Sequence, residues 1–102
     1  MKVTEENFNQ MIASGKPVMI DFGATWCGPC KALAPRIEEI EKEYEGRAVV
    51  GTADVDECSD LAAQFRIRNV PTVIFFKGGQ PVDKSVGLVA KESLTEKLNA
   101  LL

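Results

Sequence analysis

Two cysteines separated by only two residues are the part of this sequence most suited to chemistry. Cys27 and Cys30 enclose Gly28 and Pro29 in the stretch DFGATWCGPCK. A thiolate attacks disulfides, and the two sulfurs lie one helical turn apart. They can therefore close an intramolecular disulfide, or Cys30 can attack a mixed disulfide formed at Cys27. The pair predicts thiol–disulfide exchange.

The residues around the two thiols favour an activated first cysteine. Cys27 directly precedes a predicted long helix, whose free N–H groups and positive dipole end favour a negative sulfur. We therefore expect the pKa of Cys27 to lie below that of a free thiol. Pro29 fits the first helical turn and stiffens it, and Gly28 leaves the first sulfur open to a substrate backbone.

A carboxylate sits in an apolar strand just before this loop. Asp21 lies between Ile20 and Phe22 in a run that should be central and covered on both faces. A buried carboxylate with few partners has a raised pKa, which makes it a proton acceptor near neutral pH. The alternative is a structural role, in which Asp21 caps a loop or pairs with a lysine.

The composition excludes several other chemistries. The chain has three cysteines and no histidine, so it holds no Cys/His or Ser/His catalytic pair and too few N/S ligands for a tetrahedral zinc site. We expect no metal. The odd cysteine count argues against a framework of structural disulfides. The remaining alternative for the close pair is half a metal site or two ordinary core thiols.

Length and charge indicate one small globular domain over residues 1–102. The apolar fraction is 45% and the formal net charge is −3, with bases scattered among acids. We therefore expect no binding to nucleic acid or to membranes. The first residues do not resemble a signal peptide, and no run is long enough to span a bilayer. We expect a cytoplasmic monomer.

Hydrophobic patterning predicts the element order α, β, α, β, α, β, β, α. A first helix capped by Thr4 is followed by a strand, a long helix ending near Tyr44, a second strand and a short third helix. A hairpin and a C-terminal amphipathic helix complete the chain. The first two strands should form a parallel β-α-β unit. The fold class is therefore α/β, with a mixed central sheet flanked by helices on both faces. A short first strand, if present, leaves no clear pattern. The predicted ranges are strands 17–23, 48–55, 72–77 and 81–89, and a helix from about 28 to 44.

The active stretch resembles the signature of the thioredoxin family, in which Trp-Cys-Gly-Pro-Cys-Lys follows an Asp-Phe pair at this spacing. The resemblance covers nearly the whole chain and implies a thioredoxin fold. Pro35 matches the proline within the long helix. RIRNVPT (66–72) resembles the segment that carries the family's cis-proline, here Pro71, and VGL (86–88) matches a turn beside the substrate groove.

The resemblance implies a role for each matching residue. Cys27 would be the nucleophile, Cys30 the resolving thiol, and Asp21 the group that manages the proton of Cys30. A thioredoxin reductase using NADPH would recharge the pair, and this chain would hold no cofactor itself. Core packing is the alternative for two of the substrate-surface residues, Val70 and Val86. The residues implied to line the substrate surface are Trp26, Gly28, Pro29, Val70, Pro71, Thr72, Val86 and Gly87.

Three positions depart from the family pattern. Gly23 replaces an aromatic residue, which should leave the region under the thiols looser or wetter. Thr52 replaces a lysine near the aspartate, so the pKa of Asp21 should be higher than in members that have the lysine. Cys58 is additional and begins the predicted third helix, where some cytosolic members of the family also carry a cysteine. It is either a regulatory thiol or, as we favour, a chance semi-buried one.

These features favour a dithiol protein that reduces disulfides of substrate proteins, because the Gly-Pro dipeptide resembles that of reducing members. One alternative is a disulfide isomerase or oxidase, and another is a binding subunit of a larger assembly that uses the same fold. The residues leave open whether the protein is better described as an enzyme or as an electron carrier.

Overall fold

The computed structural model describes all residues from Met1 to Leu102. It contains four helices and four strands in the predicted order. None of the helices has the length and apolar content that a membrane-spanning segment requires. In chain order the elements are α1 (Phe8–Ile12), β1 (Val18–Gly23), α2 (Gly28–Glu43), β2 (Val49–Asp54), α3 (Ser59–Gln64), β3 (Thr72–Lys77), β4 (Gln80–Val86) and α4 (Lys91–Asn99).

The four strands form one mixed sheet in the order β2-β1-β3-β4. Strands β1 and β2 are parallel and connected through α2, which confirms the predicted β-α-β unit. Strand β3 runs antiparallel to β1 and continues into β4 as the predicted hairpin. The α/β fold class with a mixed sheet is therefore confirmed.

Alternation along β1 divides the core into two halves. Val18, Ile20 and Phe22 belong to a cluster with residues of α1 and α3, whereas Met19 packs with residues of α2 and α4. Because side chains of a strand point alternately to the two faces, Asp21 shares a face with Met19. The carboxylate therefore points to the side of the sheet that α2 covers, and α2 carries Cys30.

The N-terminal segment differs from its prediction. Instead of a first strand, this segment has a single isolated β-bridge between Lys2 and Thr52. Thr4 does cap a turn, because Thr4 and Asn7 each accept the other's backbone N–H with their side chains, at 3.1 and 2.8 Å. Regular helix begins only at Phe8, since the reciprocal bonds fix a turn before it.

Two backbone positions with positive φ shape the region near the site. Strand β4 ends at Val86, short of the predicted Val89, because Gly87 turns the chain with a φ of 90°. Arg66 follows α3 with a φ of 54°. There the N–H groups of Arg66 and Ile67 bond the carbonyls of Ala63 and Ala62, a helix end that usually has glycine in the place of Arg66.

Candidate active site

The two close cysteines form a disulfide at the start of α2. Their Cα atoms lie 5.3 Å apart, and both residues are buried, with 6% and 7% exposure. Cys27 is the N-cap residue of α2, while Cys30 lies inside its first turn. Sγ of Cys27 therefore lies at the N-terminus of α2, and Sγ of Cys30 lies within the first turn.

Backbone geometry at this helix end favours negative charge on the first sulfur. The N–H of Cys30 donates to Sγ of Cys27 at 3.2 Å. Gly28 and Pro29 occupy the first helical positions, where Pro29 has no N–H to leave unpaired. In the reduced protein the same N–H and the helix dipole would stabilise a Cys27 thiolate, and the lowered pKa of Cys27 stays a prediction.

The loop before β3 lies directly against the disulfide. Sγ of Cys27 is 3.6 Å from the carbonyl oxygen of Val70, and the bond between Val70 and Pro71 is cis. The N–H of Gly87 donates to the carbonyl of Pro71 at 2.8 Å. Val70 therefore lies against Cys27, and the chain and this hydrogen bond connect Pro71 and Gly87 to it. Pro71 is buried rather than open to solvent, and the side chain of Thr72 turns inward and donates to the carbonyl of Asn69.

The other predicted surface residues are open to solvent. Trp26 is 68% exposed and Val86 is 50% exposed, so neither is a core residue. Gly28 and Pro29 are also exposed, whereas Val70 is half-buried against the disulfide. The result is a group of exposed side chains beside Cys27, which is itself 6% exposed.

Two contacts that hold this surface were not predicted from the sequence. The indole N–H of Trp26 donates to Asp56 at 3.0 Å, across 30 residues of chain. The guanidinium of Arg36 in α2 donates to the carbonyl of Val89 at 2.5 Å, across 53 residues, and so holds the segment that follows Gly87. No local spacing signals either partner.

Asp21 is a buried carboxylate without a partner. It is 5% exposed, and its Oδ1 atom makes no hydrogen bond. Burial raises the pKa of Asp21 from 3.8 to about 6. Asp21 and Cys30 line the same cavity, which has a volume of about 510 Å³. A cavity of this size has room for water, and Asp21, Glu38 and Thr52 give its lining polar groups that water can contact.

Gly23 and Thr52, two of the three residues that depart from the family pattern, both line this cavity. A Cβ atom on Gly23 would lie 3.4 Å from Cβ and from Sγ of Cys30, so the glycine leaves Cys30 without a side-chain contact from this position. Thr52 is the partner of Asp21 in the parallel pairing of β1 with β2. Lys2 and Lys31 line the cavity but make no ion pair with Asp21, and burial is the cause of its raised pKa.

Cys58 lies in a different cluster from the close pair. It is 2% exposed, and its thiol donates to the carbonyl of Val3 at 3.3 Å. Burial raises the pKa of Cys58, and the carboxylates of Glu5 and Glu57 raise it further. A buried thiol with a raised pKa reacts slowly, which favours a structural thiol over a regulatory one. No group of three potential ligands is arranged to hold a metal ion.

The sequence and the fold match known proteins over nearly their whole length. The family model "Thioredoxin" matches residues 1–100. Proteins named thioredoxin from Staphylococcus haemolyticus and Staphylococcus aureus are 50% and 48% identical to this chain over 97% of its length and 94% of theirs. A mutant thioredoxin from Halobacterium salinarum superposes with a TM-score of 0.92 at 31% identity, over 99% of this chain and 88% of that one.

Proposed function

Because this chain belongs to the thioredoxin family, we propose that it is a dithiol–disulfide oxidoreductase that reduces disulfides of substrate proteins. The observation that carries the proposal is the Cys27–Cys30 disulfide at the start of α2, with the cis-Pro71 loop against it and Trp26 exposed beside it. Trp26 and Val86 both leave apolar area in solvent on the surface proposed to bind substrates, and a group of exposed apolar side chains is typical of an interaction site.

The reaction begins from the reduced dithiol. The Cys27 thiolate attacks one sulfur of the substrate disulfide, forms a mixed disulfide with it and releases the other sulfur as a thiolate. The helix terminus lowers the cost of the attacking thiolate, since the N–H of Cys30 points at this sulfur. The substrate's released thiolate then takes a proton from water.

Cys30 completes the reaction. Its thiol gives its proton to Asp21 through water in the shared cavity, and the resulting thiolate attacks Sγ of Cys27. The intramolecular disulfide forms, and the second substrate sulfur leaves as a thiolate. The substrate has gained two electrons, which the Cys27–Cys30 pair has lost. A carboxylate with a pKa of about 6 is ionised at neutral pH and can accept this proton.

The surface around Cys27 suits substrates of many sequences. Val70 offers its backbone groups beside the disulfide, and Trp26 with Val86 offers apolar area, whereas the carbonyl of Pro71 already accepts the N–H of Gly87. Backbone hydrogen bonds to an extended segment depend little on its side chains. The same arrangement would fit a thioredoxin reductase, which we propose as the partner that restores the dithiol with electrons from NADPH. We further propose that the protein works in a reducing compartment, the cytoplasm, where a dithiol can be kept reduced, and that it is a monomer without its own cofactor.

Reduction of a model protein disulfide by catalytic amounts of the chain, with NADPH and a thioredoxin reductase, tests the proposal. We expect turnover in the wild type, none in Cys27→Ser or Cys30→Ser, and wild-type turnover in the control Cys58→Ser. Absence of turnover in the wild type would favour a binding subunit. Faster rearrangement of a scrambled disulfide protein than net reduction would favour an isomerase.

A further inference from the structure

A groove lies between the end of α3 and strand β4, on the face of the sheet that α3 covers. It consists of two adjoining cavities of about 470 and 150 Å³. The smaller cavity is also lined by Thr72 and Val86, which belong to the proposed substrate surface. The groove therefore continues that surface away from Cys27. The residues that line both cavities are Phe65, Arg66, Ile74 and Lys84.

The walls of this groove carry unpaired positive charge in a chain whose net charge is −3. Arg66, Arg68 and Lys84 are exposed, and none of their side chains takes part in an ion pair. Asp83 is the only acidic residue in the lining, and Lys97 neutralises it at 3.2 Å. The floor is apolar, since it includes Phe65 and Ile74.

One of these cations, Arg66, has a backbone conformation that is unfavourable for any residue with a side chain. Arg66 has a φ of 54° at the end of α3, where glycine would avoid the steric cost. The register of β3 with β4 fixes the face to which Lys84 points, because Lys84 pairs with Ile74 and Val86 pairs with Thr72. Lys84 and Val86 therefore point to the same face, and two residues along a strand span roughly 7 Å.

We infer that this groove binds an acidic segment of the substrate protein, adjoining the segment that contains the reacting disulfide. The inference rests on the proposed function, because it extends the proposed substrate surface. An extended segment lying over Val86 needs only a few more residues to bring an aspartate or glutamate to Lys84, Arg66 and Arg68. Its backbone would cover the apolar floor while its carboxylates meet the three cations.

The test compares three peptide disulfides of equal length, each a disulfide-linked dimer of a short peptide with one cysteine. The first has glutamates before the cysteine, the second has them after it, and the third has glutamines throughout. Trp26, the only tryptophan, reports the oxidation of the reduced chain by its fluorescence in single-turnover experiments. We expect the chain to reduce at least one acidic peptide about threefold to tenfold faster than the glutamine peptide at low salt, since two or three exposed ion pairs form.

Variants separate the groove from the overall charge of the chain. Combining Arg68→Gln with Lys84→Gln should remove most of the preference for acidic peptides while leaving the rate on the glutamine peptide unchanged. Combining Lys16→Gln with Lys42→Gln removes the same amount of positive charge from exposed positions outside the groove. This control should keep the preference for acidic peptides. Arg66→Gly should weaken the preference without lowering the melting temperature, because glycine relieves the backbone cost.

Each outcome separates the inference from the proposed function. Equal wild-type rates on all three peptides, or equal loss of preference in the Lys16 and Lys42 control, would overturn the groove while leaving disulfide reduction intact. Failure to reduce any peptide would refute the proposed function instead. If single-stranded DNA or anionic vesicles bound the groove and acidic peptides gained no rate, the inference of a protein segment would be wrong.

Discussion

Replacing Asp21 by asparagine should stabilise the fold and impair the reaction, and both effects should depend on pH. The carboxylate is buried on the face of β1 that α2 covers, and its Oδ1 atom has no hydrogen-bond partner. Burial favours its protonated form, so its pKa rises from 3.8 to about 6. The folded chain therefore binds a proton more tightly than the unfolded chain between these two values.

The size of the effect follows from this difference in pKa. At about 1.4 kcal/mol per pKa unit, ionised Asp21 costs the folded state up to about 3 kcal/mol at pH values above its folded pKa. The cost vanishes below the unfolded pKa, where the group is protonated in both states. Stability of the wild type should therefore fall as pH rises from about 4 through about 6, and then level off. Asparagine carries no charge at any of these pH values, so Asp21→Asn should lack this dependence.

Urea denaturation of the oxidised wild type and of Asp21→Asn, across pH 4 to pH 8, measures this directly. The advantage of the variant should be small at the acid end and reach about 2–3 kcal/mol at the alkaline end. Glu96→Gln, which alters an exposed carboxylate in the middle of α4, is the matched control. Release of substrate by Cys30 should be slower in Asp21→Asn at pH 8 and near normal at pH 5. A stability difference that is independent of pH, or normal release at pH 8, would refute the reasoning.

Three further predictions follow from the site. Cys30→Ser should accumulate a mixed disulfide with substrate proteins, visible on non-reducing gels, whereas Cys27→Ser should not; equal trapping would contradict the assigned order of attack. Thr52→Lys should place an ammonium beside Asp21, lower its pKa and move the pH–rate profile for substrate release to lower pH, and an unmoved profile would show that the lysine does not reach the carboxylate. In native reduced protein Cys58 should be alkylated far more slowly than Cys27, as peptide mapping would reveal, and Cys58→Ser should cost about 1 kcal/mol of stability; rapid labelling of Cys58 would revive a regulatory role.

The sequence predicted the elements whose patterns are local. The apolar runs of the strands, with glycine or proline near their ends, placed β1 and β3 to within a residue or two. The face of α2 was visible in the spacing of Leu33, Ile37 and Ile40, all of which are buried. The N-terminal strand was hidden because it consists of a single backbone bridge at Lys2, which needs no side-chain pattern. The end of α3 was obscured because Arg66 holds a conformation that sequence reasoning assigns to glycine.

The same distinction applies to the site. The spacing of Cys27 and Cys30 and the position of Asp21 in a buried strand are local facts, and they were sufficient to predict the disulfide of this pair and the raised pKa of Asp21. The contacts of Trp26 with Asp56 and of Arg36 with the carbonyl of Val89 depend on how distant segments meet. Such contacts follow from the assembled fold, so neither partner could be chosen from residue type alone.

The N-terminal bridge also affects how the sheet meets other molecules. The backbone of Thr52 on the outer strand β2 is paired twice, by the N–H of Val3 at 2.8 Å and by the carbonyl of Met1 at 2.8 Å. This short segment therefore blocks part of an edge where a strand of another molecule could add. At the opposite edge, β4 contains Pro81, which has no N–H to offer, followed by charged Asp83 and Lys84. Because both edges are obstructed, aggregation by edge-to-edge strand pairing is disfavoured at each of them for a different reason.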